Sequence, residues 1–272
     1  MRRTLSISIF LLTALTVWLF VFSRWQLPQT ISDFGQVFDL QFKLTMIVIG
    51  VAFIVFQVLL GLIVWRKSQT STGAKENLKV EIAWTLFTAT IFLTLAFLGQ
   101  HVWFALLKPQ NKTEAVKIIV IAQQFQWNFH YAGRDKIFGQ TKPELINDAE
   151  LNYIGLDRTD ANAKDDIISS VFVVPVNQTI ELTMKSRDVT HSFWVAPLRF
   201  KQDLVPGLTT KIIFRPTQTG KYEIACAELC GVSHYKMKSY LLIVSEAEHR
   251  QLMLLSQEDF QTKGSGLLNQ NY

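Results

Sequence analysis

Three stretches without a single Asp, Glu, Lys or Arg occupy most of the first 107 residues of this 272-residue chain. They are Leu5–Ser23, Thr45–Trp65 and Ile82–Leu107, of 19, 21 and 26 residues. About 20 apolar residues coiled as a helix cross the hydrocarbon core of a bilayer. Residues 1–107 are therefore expected to sit in lipid, and residues 108–272 suffice for one domain outside it. The net charge of +5 does not point to nucleic acid. Residues 1–107 carry eight basic against four acidic residues, and residues 108–272 nineteen against eighteen. The excess flanks the apolar runs, where basic residues set topology.

Met1-Arg2-Arg3 ahead of the first run fits a signal peptide or an uncleaved helix. Its end, Phe20-Val21-Phe22-Ser23-Arg24-Trp25, lacks a small-x-small cleavage signature, which favours the helix. The connector 66–81 holds four basic residues and two acids and is expected on the cytoplasmic side. Everything after Lys108 then lies on the opposite side. The expected organisation is an N-terminal hydrophobic segment 1–24 and a transmembrane hairpin 25–110. An extracytoplasmic domain 111–245 and a polar tail 246–272 follow, the tail with one helical patch near His249–Leu255.

Beyond Pro109 the pattern becomes strand-like. Val116–Tyr131 reads as one long strand, followed by short runs at Val171–Val176, Thr179–Met184, Lys211–Phe214, Tyr222–Ala225 and Tyr240–Val244. The fold class is thus membrane-anchored α plus all-β, with helices leading into a β-sandwich or barrel. The acidic, turn-rich stretch 133–170 is expected to stand outside the core. His130 alternates out of the Phe125, Trp127, Phe129 and Tyr131 face and is expected to meet solvent. His101 and His249 look ordinary.

The strongest chemical signal is Cys226-Ala-Glu228-Leu-Cys230-Gly-Val-Ser-His234-Tyr-Lys-Met237, with His191 placed 35 residues before Cys226, at the end of a predicted strand. A bare C-x3-C pair outside the membrane would read as a structural disulfide. Two imidazoles and a thioether beside it read instead as a soft-metal site. Met is a poor zinc ligand and a common weak axial ligand of copper. One Cys, two His and one Met would serve one copper; with two thiolates the set serves two, the sulfurs bridging them.

These residues, with the helical hairpin and the β-domain, resemble subunit II of the haem–copper cytochrome oxidases over roughly residues 40–245. The resemblance implies a cupredoxin-like Greek key holding a binuclear copper centre, CuA. His191 and Met237 would serve one copper, and His234 with the Glu228 carbonyl the other. The Glu228 side chain would reach a magnesium ion shared with subunit I. It further implies an electron-accepting subunit of a bacterial terminal oxidase, working with subunit I and subunit III. The location would be the cytoplasmic membrane, with the C-terminal domain on the periplasmic or outer face. The donor would be cytochrome c or a membrane-bound haem c complex, and oxygen reduction would be coupled to proton pumping.

Trp127 matches an aromatic of the family's electron-transfer region, whereas Phe125 stands where many members have the Trp that admits electrons; the alternative for both is a core-facing stripe. Glu81 matches an acid at a proton-channel mouth, and equally reads as a favourable acid at a helix N-terminus. Thr88 replaces a Pro common in the family. Asp203 could pair with an arginine of the partner. The acids Glu144, Asp148, Glu150, Asp157, Asp160, Asp165 and Asp166 could form a docking patch. Rival readings are the copper subunit of a nitric oxide reductase and a stand-alone membrane-anchored copper-binding protein. The intact ligand set argues against a quinol-oxidase subunit.

Overall fold

The computed structural model describes residues 2–22, 27–66, 77–107 and 115–268. The borders expected after residues 24 and 110, and most of the connector 66–81, lie outside them. The described residues form two units, treated separately here.

The first unit holds three helices long and apolar enough to cross a membrane: α1 (Arg2–Phe22), α2 (Asp33–Trp65) and α3 (Leu78–Leu107). Their large apolar side chains point outward, as a lipid solvent requires. α1 meets α2 where the Ser6 hydroxyl donates to the Gly61 carbonyl at 2.7 Å and the Phe10 ring covers Gly61. A small residue and one polar contact are typical means of joining helices in lipid. α3 is begun by Asn77, whose side chain accepts from the Val80 N–H. It runs unbroken past Thr88, whose hydroxyl bonds back to the Trp84 carbonyl.

The second unit is a sandwich of two five-stranded sheets. Its strands are β1 (Val116–Gln123), β2 (Gln126–Tyr131), β3 (Ile167–Ser169), β4 (Phe172–Pro175), β5 (Ile180–Ser186), β6 (His191–Val195), β7 (Phe200–Leu204), β8 (Thr210–Phe214), β9 (Gly220–Cys226) and β10 (Lys238–Val244). One sheet runs β3-β2-β1-β5-β8 and the other β4-β10-β9-β6-β7. The pairs β1–β5 and β4–β10 are parallel and the other ladders antiparallel. The inner faces meet in one core rich in aromatic rings, with Phe172 stacked on Phe129 at 4.7 Å and edge-on to Phe193 at 6.0 Å. The stretch Gln29–Gln36 packs on this unit: Ile31 is buried and pairs through its main chain with Pro197 and Thr217.

Four sequence expectations change. The stretch 116–131 is a hairpin, reversing at Gln124-Phe125 with Gln123 opposite Gln126. No Gly or Pro marks that turn, so the apolar run conceals it. His130 is not solvent-facing: it is fully buried, and its Nε2 lies 2.6 Å from Asp166 Oδ2. The reason is the stretch 133–170, expected outside the core, which folds back over the outer face of β1 and β2. There Ile154, Leu156 and Ala163 join Ile121 in a second apolar cluster. Asp157 is paired with Lys142 at 2.7 Å, and Asp165 accepts from the Arg134 and Asp135 N–H groups.

The polar tail also belongs to the core. It forms α4 (Glu246–Leu252) and α5 (Gln257–Leu268), and buries Leu252, Phe260 and Leu267. At the free edge of β3 the Gln257 amide both accepts from the Ile168 N–H, at 2.7 Å, and donates to the Ile168 carbonyl, at 2.6 Å.

His249 on α4 is buried with Nε2 unpartnered among the described residues, and burial lowers its pKa from 6.5 to about 4. A base held neutral by folding contributes stability above its unfolded pKa and loses it as the pH falls toward the folded one. About 3 kcal/mol is expected to be lost between pH 6.5 and pH 4 from this residue. Denaturant unfolding at the two ends of that range should show the loss in the wild type, and a correspondingly smaller one in His249→Leu.

Candidate metal centre

Two strands and one loop build the site. β6 opens on His191, rather than ending there, and β9 closes on Cys226; Phe193 stands opposite Cys226 in the ladder between them. The chain then loops from Ala227 to Met237 before β10 begins. The loop is pinned at both ends. The Cys226 N–H donates to the Met237 carbonyl at 3.2 Å, and the Ala227 N–H to the Ser192 carbonyl at 2.9 Å. A single turn of 3-10 helix, His234–Lys236, brings His234 back over the thiols.

The thiols are buried, carry no disulfide, and lie 3.8 Å apart. Each faces one imidazole through Nδ1: His191 at 3.9 Å from the Cys226 sulfur, and His234 at 3.5 Å from that of Cys230. The Met237 sulfur is 3.8 Å from Cys230, and the Glu228 carbonyl oxygen 3.2 Å from Cys226. Among the described residues, His191, Cys226 and Cys230 form a group whose ligand atoms all lie within 4.8 Å of one another. The expected ligand set is thus brought together in one cluster, with His191, Cys226, Cys230 and Met237 buried and His234 half-buried. Soft sulfur, Nδ1 imidazole and a thioether, without a carboxylate facing the thiols, fit copper.

Burial opposes ionisation of Cys226, but His191 and the main chain at Ser192 and Glu228 outweigh it and bring the thiol down to about 6. Burial, then the charge on Cys226, pushes Cys230 up to about 12. A metal takes both sulfurs as thiolates, so its binding displaces protons from the site.

Two supporting residues were not read from the sequence. Asp188 Oδ1 lies 2.8 Å from His191 Nε2, and its Oδ2 accepts from the Gln124 N–H at 2.7 Å. The Gln124 side chain donates to the Cys230 carbonyl at 2.6 Å. Asp188, three residues before a ligand histidine, offered a faint signal; Gln124 offered none. The β1–β2 turn is in this way tied to both ligand-bearing segments. Gly231 is required there: its φ is +131°, and an added Cβ would approach the Gln124 amide to 2.7 Å and the Phe125 ring to 3.2 Å.

Trp127 is 1% exposed and edge-on to His191, with ring centroids 6.3 Å apart, so it belongs to the core and walls the site together. Phe125 is half-buried at the rim. Glu81 stands in the exposed first turn of α3. Asp203 is engaged within the chain, by Ser192 at 2.6 Å and Lys201 at 2.7 Å.

A cupredoxin-like sandwich carrying a thiolate–imidazole–thioether site, preceded by helices able to cross a membrane, defines a class of membrane-anchored copper proteins. Residues 116–247 match the family described as cytochrome c oxidase subunit II, periplasmic domain. The chain is 30% identical to cytochrome c oxidase subunit 2 of Cereibacter sphaeroides, over 74% of this chain and 70% of that one. It is 29% identical to the alternative cytochrome c oxidase subunit 2 of Bradyrhizobium diazoefficiens, over 84% and 83%. The solved periplasmic domain of subunit II of the Bradyrhizobium japonicum oxidase is 23% identical, covering 56% of this chain and 99% of that one, with a TM-score of 0.40. The chain belongs to the cytochrome c oxidase subunit II family, and so to a haem–copper oxidase.

Replacing Asp188 by Asn removes the negative charge beside His191 and leaves one acceptor oxygen where two donors, the His191 ring and the Gln124 N–H, now find two. Loss of such a partner typically costs 10–100-fold in metal affinity or activity. Copper titration of Asp188→Asn is expected to show a drop of about 10-fold or more, while Asp157→Asn, whose carboxylate is held by Lys142, binds copper as the wild type does.

Proposed function

We propose that this chain accepts electrons from a haem c donor at a binuclear copper centre and passes them to haem in subunit I. The observation that carries the reading is the pair of unbonded, buried thiols, 3.8 Å apart and each faced by an imidazole Nδ1. Cys226, Cys230, His191, His234, Met237 and the Glu228 carbonyl would hold that centre. A copper pair of this kind supplies one-electron transfer with the odd electron shared between two metals.

The chain's own residues supply rigidity and exclusion of water. His191 is fixed at both nitrogens, facing Cys226 with one and Asp188 with the other. Met237 is 1% exposed and Cys230 3%, so the ligands change little in solvation when charge arrives. Trp127 and Phe193, edge-on at 5.6 Å, fill the space behind the site and leave no room for substrate. The Glu228 side chain is exposed and free to reach a magnesium ion shared with subunit I. The partner subunits would then hold the oxygen site, and Glu81 the mouth of a proton path into subunit I, on the cytoplasmic side of a bacterial membrane.

The purified complex is expected to contain two copper ions in this subunit, with an EPR hyperfine pattern from two nuclei; a pattern from one nucleus would overturn the binuclear reading. Cys226→Ser should abolish that signal, whereas Met237→Leu should keep copper and shift its potential, because a thioether is a weak axial ligand.

Glu81→Gln should slow steady-state oxygen consumption while leaving the rate of copper reduction unchanged. Wild-type turnover in this variant would return Glu81 to the role of a helix-terminal acid.

A further inference from the structure

Gln124 stands at the surface, on the turn between β1 and β2, where an amide side chain would ordinarily face water. Its Nε2 instead donates to the Cys230 carbonyl at 2.6 Å, across a separation of 106 positions. Its own N–H donates to Asp188 Oδ2 at 2.7 Å, and the other oxygen of that carboxylate stands 2.8 Å from His191 Nε2. One residue thus reaches both halves of the cluster by separate routes. The main chain leads to His191, which faces Cys226, and the side chain to Cys230, which faces His234.

Those halves are otherwise carried by different parts of the chain. His191 opens β6 and Cys226 closes β9, both inside the sheet. Cys230 and His234 lie in the loop that follows. That loop is joined to the strands at its two ends, and within it the bonds from His234 N–H to the Gly231 carbonyl and from Lys236 N–H to the Ser233 carbonyl are local. Among the described residues, the Gln124 amide makes the one hydrogen bond that reaches the middle of the loop, residues 228–233, from elsewhere in the fold. The fit is close. A Cβ on Gly231 would stand 2.7 Å from the Gln124 Nε2, so the glycine is what lets the amide lie against the loop.

We infer that Gln124 is a positioning residue for the metal pair: it fastens Cys230 through the carbonyl while its N–H fixes the carboxylate behind His191, and so keeps the two halves equivalent and the odd electron evenly shared. This rests on the binuclear reading proposed above. Even sharing requires the two metals to lie at the same energy, and a displacement of one half alone removes that equality. Partners one layer behind the ligands set ligand orientation, and such support has to hold a site within about 0.5 Å of its working geometry.

The test is a variant that keeps the length of the side chain and loses only the donor. Gln124→Met does so, and its main-chain N–H remains available to Asp188. The intact oxidase is purified in wild-type form, as Gln124→Met and as Gln126→Met. In the last the amide removed is bonded to Asn128 at 3.2 Å and does not touch the loop. Copper content, copper affinity against a competing chelator and the EPR hyperfine pattern are measured for each. Gln124→Met is expected to retain both copper ions at saturating metal, with affinity about 10-fold lower. Its hyperfine pattern should shift from two equivalent nuclei toward one dominant nucleus. A purely structural role, in which the amide only stabilises the turn, would leave that pattern unmoved. Gln126→Met is expected to match the wild type in all three.

A Gln124→Met spectrum that superimposes on the wild type overturns the inference, as does an equal change in Gln126→Met, which would mark a general loosening of the hairpin. A wild-type spectrum from a single nucleus would instead overturn the binuclear reading itself.

Discussion

Two sulfurs that must stay close without bonding to each other impose the main constraint on this molecule. At 3.8 Å the thiols of Cys226 and Cys230 are in contact, and a four-residue spacing in a free loop would let them close into a disulfide. The main chain sets where each of them stands. Cys226 is locked in the ladder with β6 and, through its N–H, to Met237, so the loop is fixed at both ends before its middle is placed. Cys230 is then held through its carbonyl by Gln124. The imidazoles stand beside the sulfurs from opposite directions in the chain, one on a strand and one on a turn.

The sandwich beneath explains why such an arrangement is stable. Trp127, Phe193 and Phe172 meet edge to face, the geometry that ring quadrupoles favour. They form a floor that does not depend on metal. The Asp188–Gln124 link transmits the position of that floor to both ligand segments, because Gln124 begins the turn that leads into Trp127. Support of this kind, one layer behind the ligands, decides how little the site relaxes when its charge changes.

Much of this was legible in the chain. The charge-free runs announced the helices, since nothing but lipid favours such lengths of apolar helix. The sulfur and imidazole residues announced the site, because their types and spacing have few other uses. What escaped was long-range. His130 looked exposed on alternation alone, which cannot foresee that residues 133–170 return to cover it. The apolar residues of that stretch, Ile154 and Leu156, were outnumbered by its acids, and Asp148, Asp157, Asp160, Asp165 and Asp166 proved to be structural. The hairpin at Gln124-Phe125 had no turn residues to reveal it. Gln124 was invisible because its role depends on the Cys230 carbonyl, more than a hundred positions away.

The two-pronged contact of Gln257 with Ile168 bears on how the domain meets its own copies. A bare edge strand offers its N–H and C=O groups to any passing chain and so invites edge-to-edge association. On β3 the side-chain amide takes the place of that neighbour, donating and accepting as a strand would. The α5 helix, anchored by Phe260, thereby acts as a built-in chaperone for this margin of the sheet. The folded domain can then stand among its own copies without recruiting them at this margin.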